Sequence, residues 1–202
     1  MNKFLSLTVK VILVIAIPVL LYFIYNSLQQ PVVFEKNRSA REQVCIERLK
    51  AIRTLQEHYK SKYNKFTGDI DSLIDFYHNG TITIIKQIGS FDDSVAVAEK
   101  RVFRDSIKIA VKDTLLKGFI IDSIRYIPFS GGKEISMEAI VAKVSGVDVP
   151  LFEASAPYDY LLLGLDRQLV INLNHDRTSV GRYPGLRVGS IESPNNNAGN
   201  WE

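Results

Sequence analysis

Three histidines, His58, His78 and His175, share no metal-ligand spacing, and neither an HExxH run nor paired CxxC motifs accompany them. Phe129-Ser130-Gly131-Gly132-Lys133 sets a glycine pair before a lysine, but a phosphate-cradling loop needs G-x-x-x-x-G-K with Ser or Thr next, and here Glu134 follows. A turn between strands is the expectation for that stretch. No G-x-S-x-G elbow surrounds Ser130 or any other serine. Asp69, Asp71 and Asp75 lack the D-x-[DN]-x-[DN]-G core of a calcium loop. Acids at the start of a short helix satisfy its free N–H groups and its dipole, so capping is expected of them. Cys45 is the single cysteine, which excludes a disulfide within the chain. It follows Arg41-Glu42-Gln43-Val44 instead of the small apolar residues of a lipobox, and a buried thiol is expected. No metal, cofactor or catalytic group is expected from these residues. The alternative is an anchored periplasmic enzyme or ligand-binding domain, whose ionisable groups would converge only in space.

The elements that would position any site begin with an apolar segment. Residues 4–25 are apolar apart from Ser6, Thr8 and Lys10, and about 20 such residues cross a bilayer core. The flank YNSLQQPVVF has no small-x-small cleavage pattern, which predicts an uncleaved signal anchor behind a cytosolic tail of residues 1–3. Lys3 and Lys10 favour an N-in orientation, with the main domain in the periplasm of a bacterium, anchored in its inner membrane. The lipid bilayer is therefore the first expected partner. A net charge of +3 is too small to indicate a nucleic-acid partner. With 202 residues, 46% hydrophobic, the chain can bury one ordinary core.

Asn26 to Gln30 and Pro31 predict a helix break, and Ser39 with Glu42 has the spacing of a capping box. A juxtamembrane helix from about Ala40 to Tyr63 then follows, inside a linker-and-helix region 26–66. Cys45, Leu49, Ile52, Tyr59, Tyr63 and Phe66 form one stripe, with Gln56 in its one gap. Two readings of the stripe stand open: an interaction surface on a stalk, or a face that lies on the chain's own domain. Arg41, Arg48, Lys50, Arg53, Lys60, Lys62 and Lys65 concentrate positive charge in the same region.

Residues 67–192 read as a small, antiparallel-rich α+β domain. Thr67-Gly68 breaks the long helix, and a short helix through Ile70, Leu73, Ile74 and Phe76 stops at Asn79-Gly80. TITIIKQI, DSIKIAV, FIIDSIRYI, LVINLN and LRVGSI read as strands, and EISMEAIVAKV with VDVPLFEA as a hairpin turned at Ser145-Gly146. PYDYLLLG reads as a short helix. Asp-hydroxyl-apolar triplets at Asp93, Asp105, Asp113 and Asp122 are unequally spaced, which fits turn chemistry better than a repeat. The polar tail 193–202 is expected to be mobile, and Trp201 in it could anchor a partner or tuck into its own domain.

Tyr59 to Tyr63 followed by KFTGDIDSLIDF, behind an apolar segment and a long helix, resembles the pilin and pseudopilin pattern over the first third of the chain. The glycine and glutamate of a prepilin peptidase site are not present. RYIPF and the tail PGLRVGSIESPNNNAGNWE are similar to uncharacterised signal-anchored envelope proteins of bacteria. The order of short tail, span, helix and α+β domain also resembles the bitopic alignment proteins of type IV pilus and type II secretion machines. These resemblances imply a non-enzymatic, membrane-anchored structural component of an envelope assembly, with envelope proteins or a second copy of itself as partners.

Overall fold

The computed structural model describes residues 2–88 and 103–202. Met1 of the expected tail and the triplet Asp93-Ser94-Val95 lie outside the described residues. The architecture is α+β, a long N-terminal helix followed by two small antiparallel sheets.

Helix α1 runs unbroken over Asn2–Tyr63, about 93 Å at 1.5 Å per residue. The expected break at Asn26–Pro31 does not occur. Pro31 removes one N–H donor, but the carbonyl it frees, that of Ser27, lies on an exposed turn where water can satisfy it. Glu35 and Glu42 pair with Arg38 at 2.9 and 3.3 Å, i,i+3 and i,i+4 contacts that support helix through the expected boundary. Ser39 is thus mid-helix, and Glu42 pairs back with Arg38 one turn earlier instead of capping a helix start.

The apolar part of α1 is long and apolar enough to cross a membrane, and among the described residues its most apolar stretch, from Ile12 on, is not buried by the protein. Burial begins at Phe34, which packs against the core, and is complete at Cys45, Leu49, Ala51, Ile52 and Leu55. This half of α1 forms one wall of the core. The opposite wall is a three-stranded antiparallel sheet in the order β3-β4-β5, with β3 at Ser136–Val144, β4 at Val147–Pro157 and β5 at Gly185–Gly189. Phe152, Ala154 and Ala156 on β4, with Leu186 and Val188 on β5, supply the period-two inner face. The Phe66 and Phe152 rings meet at 4.8 Å.

Helix α2, Ile70–Asn79, closes one end with Leu73 and Phe76. A separate ribbon follows, β1 at Thr81–Ile88 paired antiparallel with β2 at Phe103–Ala110. One turn of helix, α3 at Val111–Thr114, returns the chain to the core through Val111.

Three further expectations are corrected. FIIDSIRYI is not a strand: Ile121–Arg125 forms a 3-10 turn, and Ile121, Ile124 and Ile127 are all buried at a spacing of three. LVINLN lies within helix α5, Arg167–Ser179, where Asp166 caps Leu169 N at 3.1 Å and Gln168 donates to Asn172 at 2.9 Å. Leu169, Val170 and Leu173 turn inward at helical spacing, so the period that decides is 3.6. The short helix read from PYDYLLLG is present as α4, Tyr158–Leu161.

The tail is docked, contrary to the expectation of a mobile segment. Gly199 bridges Val188, Asn200 N donates to Arg187 O at 3.0 Å, and the Asn200 side chain donates to Gly185 O at 2.9 Å. These bonds cover the free edge of β5, a place where unpaired backbone groups would otherwise face solvent.

Candidate functional site

The stripe is best described residue by residue. Cys45, Leu49 and Ile52 are 0% exposed and belong to the chain's own core, as does Phe66. Tyr59 packs against that core, its ring tilted against that of Tyr63 at 4.5 Å and meeting Phe76 edge-on at 5.4 Å. Tyr63 alone is substantially open, at 46%. The stripe therefore packs against its own sheet, and a stalk that stands clear of its head is not what the chain forms. Burial pushes the Cys45 thiol up to about 12, against the smaller opposing pull of the Arg48 guanidinium.

Gln56, the polar gap in the stripe, is fully buried. Its Nε2 donates to Thr67 O at 2.6 Å and its Oε1 accepts from Thr67 N at 3.1 Å. One amide thus replaces a neighbouring strand for the peptide at the chain reversal after α1. A lone polar residue inside an apolar stripe was the available sequence signal.

The basic residues of α1 also turn inward more than a solvated face would. Arg41 Nη1 donates to Leu161 O at 3.2 Å and Leu163 O at 2.8 Å, so it holds the carbonyl end of α4. Arg48 donates to Tyr126 O, just past the 3-10 turn. Arg53 pairs with Glu202 at 2.7 Å, and that bond holds the Glu202 carboxyl below its usual range. Lys60 lies over the Phe66 ring at 4.9 Å. Guanidinium forks and free carbonyl ends are complementary, which explains arginines at these helix positions.

Trp201 is partly buried against the chain's own core, its ring lying on Gly199. Asp69 caps α2, accepting from Asp71 N at 3.2 Å and Ser72 N at 3.0 Å, and the Ser72 hydroxyl bond lowers its pKa first among several causes. Asp71 pairs with Arg125, and Asp75 accepts from Asn79. In Phe129–Lys133, the Ser130 hydroxyl donates to Ile127 O at 2.7 Å and accepts from Lys133 N at 3.0 Å, closing a tight turn. His78 and His175 are exposed, and His58 Nδ1 lies 2.9 Å from Thr54 O. Among the described residues no three His, Cys, Asp or Glu side chains converge on one point.

Three of the clefts among the described residues lie beside groups that could contact a ligand. One of about 500 Å³ lies between α1 near Gln30 and the α4–α5 loop at Asp166. A second, about 440 Å³, lies between His58 and Lys62 of α1 and Thr81 and Thr83 of β1. A third, about 380 Å³, is lined by Arg177, Arg182, Tyr183 and Arg187. No family model, curated protein or solved structure matches the chain.

Proposed function

We propose that the chain is a membrane-anchored structural component of a bacterial envelope assembly that acts through protein–protein contacts. The supporting observation is that one unbroken helix serves both as the candidate span and as a wall of the folded head. An enzyme needs only a tether for its anchor, whereas a helix shared by span and core fixes the head's height and rotation relative to the membrane. A component that sets geometry uses both. The bacterial envelope, and the periplasmic side of the inner membrane, enter from the resemblances to anchored envelope proteins and from the lysines flanking the apolar segment.

The test is photo-crosslinking in cells from two exposed positions of α1, Val32 and Val44, with buried Leu49 as control. Adducts to envelope proteins or to a second copy are expected from Val32 and Val44 and not from Leu49. Membrane pellets that yield no adduct from either exposed position would refute the proposal. One observation favours the alternative of an anchored ligand-binding domain: Arg177 stacks on Tyr158 at 5.3 Å and Arg187 on Tyr183 at 5.6 Å, which orients two guanidiniums around the third cleft. Saturable calorimetric binding of inorganic phosphate would support that alternative.

A further inference from the structure

We infer that the cleft between α1 and the α4–α5 loop is a binding site for a phospholipid head that carries a primary ammonium, taken from the bilayer around the anchor. The inference rests on the membrane reading of the apolar segment. With that segment ending at Tyr25, Gln30 lies about 8 Å further along the helix axis, and the head-group layer is roughly 5 to 8 Å deep on each side. Because α1 has no break, the cleft cannot swing away from this level.

The lining matches such a head group by group. Val33 and Leu165 give an apolar floor that continues the exposed apolar surface of the anchor. Asn26, Gln29 and Asn37 bring side-chain amides to the rim, with N–H groups for phosphate oxygens and carbonyls for N–H donors. Among the described residues Asp166 is the only charged one lining the cleft. Its Oδ2 accepts from Gln30 Nε2 at 2.6 Å and its Oδ1 from Leu169 N at 3.1 Å, so the carboxylate is held still while each oxygen keeps acceptor capacity. An ammonium head gives Asp166 a charge-assisted hydrogen bond. A choline head has no N–H to donate, and a glycerol head brings a net negative charge toward a carboxylate with no lysine or arginine in the lining. Selection for the ammonium head follows from that charge pattern.

The experiment uses the full chain in vesicles of equal parts phosphatidylethanolamine, phosphatidylglycerol and phosphatidylcholine, followed by flotation and native mass spectrometry of retained lipid. Retained phosphatidylethanolamine is expected at about three times the amount of either other lipid, roughly 60% of the retained lipid against about a third in the bulk, the scale of one charge-assisted hydrogen bond partly screened at a wet surface. Asp166→Asn keeps helix capping and is expected to return that share to bulk. Asn37→Leu, on an exposed helix face, is expected to lower total lipid retention without unfolding the chain. Wild-type chain that floats but retains lipid at the bulk ratio overturns the head-group site alone, as does an enrichment unchanged in Asp166→Asn. Chain that does not float overturns the membrane reading as well.

Discussion

Leu49→Ala separates the two readings of the α1 stripe. Leu49 is 0% exposed between Cys45 and Ile52, and truncation removes three buried carbons from a wall that the continuous helix keeps from collapsing inward. Leu-to-Ala changes in such sites cost about 2 to 5 kcal/mol, the higher end where the backbone is rigid, so about 3 to 4 kcal/mol is expected here. For a chain of this size that lowers Tm by roughly 6 to 15 °C. The control is Val44→Ala, one residue before Cys45 and 37% exposed, where the change should stay within about 1 kcal/mol. The assay is thermal unfolding of the full chain in detergent, followed by fluorescence of Trp201, the single tryptophan, which is partly buried against the core. A stripe that met a partner instead of its own sheet would leave Tm unchanged in Leu49→Ala and weaken assembly. A Leu49→Ala shift no larger than that of Val44→Ala would refute the packing argument.

Gln56→Leu should destabilise the chain by about 1 to 3 kcal/mol in the same melts although it adds apolar bulk, because the backbone N–H and C=O of Thr67 both lose their partner; a neutral or stabilising change would contradict the role given to the amide. Cys45 should resist alkylation: with its pKa at about 12 instead of the ordinary 9.0, the thiolate fraction at pH 8 falls about a thousandfold, and maleimide labelling of native chain should lag urea-unfolded chain by at least that factor. The same shift makes the folded state hold its proton where the unfolded state releases it, so stability falls by about 1 kcal/mol per pH unit from pH 9 up to 12. Cys45→Ala should flatten that slope, as read by urea titrations across the range.

The sequence carried the hairpin, the short capped helix at Ile70–Asn79 and the α+β class, since each has a local cause: Ser145-Gly146 at positive φ, Asp69 at the cap, and alternation along the start of β3. Errors fell where two periods competed. LVINLN has the composition of a strand, and only the cap at Asp166 several residues earlier selects helix. FIIDSIRYI is β-branched, yet its isoleucines step by three, which only the packed core reveals. Proline at 31 reads as a stop because propensity is local, while the ion pairs that carry the helix past it lie further along. The stripe residues themselves were legible; what faced them was not, because a helix pattern marks the apolar side without naming the surface that covers it.

The docking of head onto helix changes where a partner can act. A stalk would present its apolar stripe to another protein and leave the head free to move. Here that stripe lies against β4 and β5, so the surface of α1 that runs from its apolar part to the head is its outer line, through Val32, Lys36, Ser39, Gln43, Glu47 and Lys50, all exposed. Those residues recur every three or four positions, so they share one side of the helix. They are mostly polar, which suits a contact that forms and releases in water better than a permanent apolar seam. The head cannot rotate about α1 without pulling Leu49, Ile52 and Leu55 out of the core, at a cost comparable to unfolding. Whatever meets that outer line therefore meets the candidate span and the head in one fixed register, and a change of tilt in the apolar part of α1 reaches the head undiminished.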